Sequence, residues 1–335
     1  MISGLIAKII SECTLSSYPV FIKKINIPFL KKVLYRLFGF TFISLFFCDW
    51  SILKKYLFNY QGILLSLITF IHIVSSFRGF ELLRGGVASS ILYIYPLIIL
   101  YVNNERPWLV YFFILAGLFL LAYGSYHYQM EVNDQNSEKE TFGLFGKNIV
   151  LERFMKGFGY MIVSAVTEAM IYFSVLEIKT SNNWNHLFIS YFFGFVILMG
   201  YYLFSWNTFD NKDIQKIDKE NSKEENSKEE NNIESKNHDH NEHENVEKKK
   251  NNLILGIDKT HLFAFGFNIL AALLGYYLRF YSMDKLNYKL YSILSYIGVF
   301  VTYIYGYIFA QEKITLLSIL GSLIIILSNI YLLYN

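Results

Sequence analysis

The sequence predicts an all-α integral membrane protein of ten transmembrane helices, arranged as two inverted five-helix repeats around a central cavity. Three observations lead there. The 335 residues are 54% hydrophobic, 19% aromatic and only 17% charged, whereas an ordinary soluble domain carries about 25% charged residues. Ten apolar stretches long enough to cross a bilayer follow one another along the chain. The few charges inside those stretches recur at matched positions in the two halves.

Charge is unevenly placed. Residues 210–252 hold 13 acidic side chains, nine lysines and three histidines, and the other 292 residues share only 21 Lys+Arg and 14 Asp+Glu. The net charge of +3 therefore blends an acidic segment with a basic, greasy body. This excludes a soluble globular enzyme, a nucleic-acid binder with a basic face, and a disordered protein. Two cysteines, Cys13 and Cys48, exclude a disulfide framework and a Cys-rich metal site.

The spans are apolar runs of about 17–25 residues with few charges. They fall at about 3–22, 33–50, 60–80, 86–103, 107–125, 154–175, 184–206, 260–281, 288–309 and 313–334. The first opens as MISGLIAKIISEC, without the basic start and small-residue cleavage site of a signal peptide, so it reads as a retained span. The second ends at Trp50, and the fifth opens at Pro107–Trp108, where proline suits the first helical turn. Trp184 and Trp206 bound the seventh, as indole rings favour the lipid–water boundary. Pro19 and Pro96 sit inside spans one and four, where a bend could open or close a path. Helices are expected because lipid offers backbone groups no outside partner, and the runs lack the alternation of barrel strands. Cations outside the insert number ten on one side and six on the other, which points both termini to the non-cytosolic side.

Between spans seven and eight, residues 210–252 contain NSKEENSKEE and cannot bury a core, so they read as a disordered charged loop. Within that loop His238, Asp239, His240 and His243 read as low-complexity drift, and neither a metal nor a cofactor is expected.

The two halves match internally. ISECTLSSYPVFIKK aligns with VTEAMIYFSVLEIKT, setting Glu12 against Glu168 and Lys23 against Lys179. SSFRGFELL aligns with YYLRFYSMD, pairing Arg78 with Arg279, and ERPWLVYFFILAG with EKITLLSILGS, pairing Glu105 with Glu312. The units are residues 1–125 and 154–335, joined by a loop at 126–153, and the charged loop interrupts the second. Five spans per unit is odd, so the second copy must enter the membrane inverted, an organisation characteristic of secondary transporters.

FELLRGGVASSILYIYPLIILYVNNERPW (80–108) and YSILSYIGVFVTYIYGYIFAQEKITLLSILGSLIIILS (291–328) carry a family likeness. They resemble the drug/metabolite transporter superfamily in its ten-span form with two EamA-type repeats. Gly321 lies nine residues after Glu312, as in that pattern, whereas Gly117 is twelve after Glu105 and Pro96 has no counterpart in the second half. The resemblance implies movement of small polar metabolites, often by exchange or proton coupling, and not an enzyme.

Five residues are the candidate binding or coupling groups. Glu12 and Glu168 sit mid-span, where a charge costs about 2.5–3.5 kcal/mol and usually faces a cavity. Arg78 and Arg279 could clamp a phosphate or carboxylate, with snorkelling or an ion pair to Glu81 as the plainer role for Arg78. His72 is a proton-relay candidate or an ordinary interhelical hydrogen-bonding group. Glu105 and Glu312 are expected to shape turns. Lys8, Arg36 and Asn268 lie in or near the membrane without an assignable partner. The 27 Tyr and 31 Phe are expected to fill lipid-facing positions.

The expected function is a secondary active transporter, an exchanger or proton-coupled carrier, working by alternating access. Its expected partners are a small metabolite, with an anionic one among the options, protons, the lipid bilayer and a second copy in a homodimer, but no nucleic acid. A membrane scaffold or tether using the acidic loop is the alternative. A membrane-embedded transferase is weaker, because HxxxD, HExxH and GxSxG motifs are absent. Substrate, coupling ion and membrane (plastid, ER, Golgi or plasma membrane) are not encoded in any motif.

Overall fold

The computed structural model describes residues 1–22, 25, 27–105, 107–137, 145–180, 182–204, 253–254 and 257–334. The acidic segment 210–252 with its histidines, and Lys23 of the repeat match, lie outside the described residues. Helices occupy all ten apolar stretches. They are α1 (Ile2–Leu15), α2 (Tyr18–Phe21), α3 (Phe29–Leu45), α4 (Trp50–Tyr56), α5 (Tyr60–Leu82), α6 (Gly85–Leu92) and α7 (Tyr95–Val102). There follow α8 (Trp108–Ser137), α9 (Phe145–Glu177) and α10 (Asn183–Phe204). After a two-residue antiparallel pair, Leu253–Ile254 with Ile257–Asp258, come α11 (Lys259–Lys285), α12 (Tyr288–Ser295), α13 (Ile297–Ala310) and α14 (Leu316–Tyr334).

Seven of these segments, among the described residues, are long and apolar enough to cross a membrane. They are Tyr60–Leu82, Gly85–Val102, Glu152–Glu177, Asn183–Phe204, Leu262–Lys285, Tyr288–Ala310 and Leu316–Tyr334. Of the other three expected spans, the first is broken after Leu15, α3 has 17 residues and carries Lys31, Lys32 and Arg36, and α8 is apolar over Trp108–Gly124. Helices α8 and α9 also run beyond the expected ends at 125 and 154, into the stretch expected to be a loop.

Two of the breaks follow from proline chemistry. Pro19 and Pro96 lack an N–H and their rings crowd the carbonyl four residues back. Those carbonyls belong to Leu15 and Leu92, the last residues of α1 and α6. Span nine is broken too, at Tyr296 between α12 and α13.

The most extensive helix pairings are α5 with α9, α8 with α14, α1 with α11 and α3 with α10, each joining one half of the chain to the other. The α8–α14 crossing is close because Gly117 and Gly321 face one another: a Cβ added at either would stand 2.5–2.8 Å from the other's carbonyl oxygen. Without a hydrophobic driving force between helices in lipid, such close backbone approach supplies packing. Outward faces are apolar, with Phe46, Phe112, Phe119, Phe267 and Leu327 all more than 60% exposed, which suits a lipid surface and would be a liability in water.

Candidate functional site

A charged network is buried where the halves meet. Lys8 and Glu12 lie one turn apart on α1, and Lys8 Nζ donates to Glu12 Oε1 at 2.5 Å. From α11, Arg279 Nη2 donates to the same oxygen at 3.1 Å, while its Nη1 donates to Glu168 Oε1 on α9. Tyr93, at the break between α6 and α7, donates to Glu12 Oε2 at 2.6 Å. Lys8 Nζ also stands 3.6 Å above the Tyr291 ring. None of Lys8, Glu12, Glu168, Arg279 or His72 is more than 4% exposed. Such a network persists only because each charge has opposite partners, since desolvating an unpaired ion costs several kcal/mol.

His72 on α5 faces two acceptors. Its Nδ1 lies 3.1 Å from the Ser164 carbonyl oxygen, and its Nε2 lies 3.2 Å from Glu168 Oε2 and 3.4 Å from the Tyr276 hydroxyl. A neutral imidazole has one N–H, so it donates to the carbonyl or to the carboxylate; the protonated ring donates to both.

The network borders a cavity of about 40 Å³, lined by Tyr18, Arg36, His72, Ser89, Tyr93, Glu168, Tyr276 and Arg279 among others. A water needs about 10–15 Å³ on this measure. The cavity therefore holds a few waters at most, and a metabolite enters only if the surrounding helices part.

Four of the five sequence-predicted residues come together: Glu12, Glu168, Arg279 and His72. Arg78 does not join them. Its side chain is 44% exposed, pairs with Glu81 at 3.3 Å and lies 3.6 Å from the Phe29 ring. Glu81 in turn accepts from the buried Lys32 at 3.2 Å. The antiparallel packing of α5 on α9 sets His72 opposite Glu168, as that of α1 on α11 sets Arg279 opposite Glu12. Arg78 lies six residues, nearly two turns, beyond that level.

Lys8, expected to lie in or near the membrane without an assignable partner, pairs with Glu12, and the i,i+4 spacing is the signal for that pair. The tyrosines are expected in lipid-facing positions. Several are buried instead: Tyr95, Tyr191, Tyr291 and Tyr296 are each 1% exposed or less, with Tyr191 and Tyr291 beside buried cations.

Glu105 and Glu312 act at turns, and they do so reciprocally. Each follows a residue in the left-handed region, Asn104 at φ 64° and Gln311 at φ 54°. Each N–H closes back on the preceding helix, Glu105 to the Leu100 carbonyl at 3.1 Å and Glu312 to the Gly306 carbonyl at 3.0 Å. Glu105 Oε1 then accepts from the Tyr288 hydroxyl at 3.2 Å, at the start of α12, and Glu312 Oε1 from the Gly85 amide at 3.3 Å, at the start of α6.

No curated protein matches the chain. Residues 245–334 are similar to the EamA-like transporter family, in agreement with the drug/metabolite transporter likeness of the sequence, and the apolar helices make the chain a multi-pass membrane protein.

Proposed function

We propose that the chain is a secondary carrier for a small polar metabolite, with ten spans in two inverted units that alternate access to a central site. The observation that carries this reading is the buried network Lys8–Glu12–Arg279–Glu168–His72. In a membrane protein an intramembrane charge is a functional-site signal by default, and here five titratable groups from both halves form one network, of which His72, Glu168 and Arg279 line the cavity. The inverted repeat gains support from the reciprocal pairings α1–α11 and α5–α9, the breaks in spans four and nine, and the exchange of Glu105 and Glu312 contacts.

Arg279 reaches Glu12 across the interface while holding Glu168 within its own half. Rocking α1 and α5 against α9 and α11 would exchange these contacts for contacts to substrate or water, which is how a closed state can be stable without being permanent. His72 with Glu168 forms the coupling site. Protonation there lets the imidazole satisfy both the Ser164 carbonyl and the carboxylate, and loss of the proton frees Glu168 from that hold.

Uptake into proteoliposomes against a panel of nucleotide sugars, sugar phosphates and amino acids tests the assignment. Wild type is expected to accumulate its substrate faster under an inward proton gradient. Glu168→Gln is expected to lose that stimulation by tenfold or more. Full transport with an unchanged pH profile in Glu168→Gln would remove the proton role.

A further inference from the structure

The cavity holds a cation that the network does not use. Arg36 on α3 is 3% exposed and lines the cavity, but no carboxylate lies within ion-pair distance of it among the described residues. A guanidinium has five N–H donors. Among the described residues its acceptor is the Tyr191 hydroxyl, 3.4 Å from Nη2, and its Nε has none. Aromatic rings surround it instead: Tyr18 at 4.6 Å, Phe40 and Tyr276 at 5.2 Å, and Phe77 at 5.4 Å from its guanidinium carbon. Ring faces attract the charge, but they offer no in-plane acceptors for the N–H groups.

The charge balance around the cavity points the same way. Arg36 and Arg279 line it with Glu168, and the Lys8–Glu12 pair lies behind them, so with His72 neutral one positive charge is left over. Of the other unsatisfied polar atoms on the cavity wall, Tyr18 Oη, Ser89 Oγ and Arg279 Nε can donate, while Glu168 Oε2 accepts and has His72 Nε2 at 3.2 Å. A wall rich in free donors with a surplus cation fits a ligand rich in acceptors and carrying negative charge.

We infer that Arg36 is the substrate-binding cation, and that the substrate carries an oxyanion, a carboxylate or a phosphate, which Arg36 takes through paired hydrogen bonds with Ser89 and Tyr18 beside it. Paired N–H donors match both oxyanions, which a lysine ammonium does not. The aromatic ring faces hold the guanidinium in place while the helices are closed, and the anion replaces their attraction when the helices part. This rests on the transport reading for its purpose but not for its test.

The test is binding to the purified full-length protein in detergent, read as the shift in melting temperature. The probes are inorganic phosphate, succinate and neutral glucose, at ionic strength matched with chloride. A ligand that binds only the folded state raises stability with its concentration. Wild type is expected to gain a saturable upward shift with phosphate or succinate and none with glucose, and the stronger of the two identifies the group. Arg36→Gln is expected to lose that shift, with affinity falling at least tenfold. If Arg36→Gln does not fold, Arg36→Lys keeps the buried charge without the paired donors and is expected to bind several-fold more weakly than wild type. Equal shifts in wild type and either folded variant, no saturable shift with either anion, or a shift with glucose alone would overturn the proposal and leave Arg36 as a packing brace. Oxyanion binding without uptake in proteoliposomes would instead count against the carrier reading and leave the Arg36 site standing.

Discussion

Arg279→Gln is expected to abolish transport and to lower stability by about 3–5 kcal/mol, the range for removing one partner from a buried ion network. The loss is large because one guanidinium serves two carboxylates, Glu12 at 3.1 Å and Glu168 on its other nitrogen. Without it, among the described residues, Glu168 keeps only His72 within ion-pair distance, and α1 loses its ionic link to α11 and, through Arg279, to α9. Arg279→Lys retains charge but replaces the planar two-nitrogen fork with one ammonium, so it does not reproduce both contacts in the native geometry. Its stability is expected to fall between wild type and Arg279→Gln. Thermal unfolding in detergent and uptake at matched protein amounts check both statements. A melting temperature for Arg279→Gln within a degree of wild type would show that the network carries little of the fold.

The second large effect is expected at Lys8 and Glu12. Glu12→Gln leaves Lys8, which is fully buried, with a ring face and no carboxylate in contact, and is expected to cost about 3–5 kcal/mol. Lys8→Met removes a charge that Glu12 can spare, since Arg279 and the Tyr93 hydroxyl remain on it, so its cost is expected to be smaller. Combining the two should then cost less than their sum, with a coupling energy of about 0.5–3 kcal/mol, as for directly contacting groups. Additive losses would mean that the 2.5 Å pair is not formed in the folded protein.

How much of this was readable from the chain divides along a physical line. Apolar runs locate helices because lipid imposes that length and composition, and helices lie at all ten positions. Proline positions located two of the breaks, as a missing N–H and a ring clash act locally. Glu12, Glu168 and Arg279 could be expected to share a site, since mid-span charges need partners in a medium that supplies none. Register was not readable. Arg78 and Arg279 sit in similar motifs, but the level at which each reaches its neighbour depends on how α5 slides against α9, and that is set by packing at Gly79, Gly157 and Met161. Nor could Arg36 be placed, because its surroundings come from α2, α5, α10 and α11, remote in sequence and individually indistinguishable from lipid-facing aromatics.

The central claim is that two inverted halves open the buried cavity to one side of the membrane at a time. Ser89 lines that cavity and is 1% exposed. The direct test is to introduce Ser89→Cys into a chain whose native thiols are removed by Cys13→Ser and Cys48→Ser, and to label it with a membrane-impermeant maleimide in right-side-out and inside-out vesicles. The account predicts slow labelling from either face, with no leak of reagent across the membrane. Labelling from one face only, or free passage of the reagent from both, would contradict it.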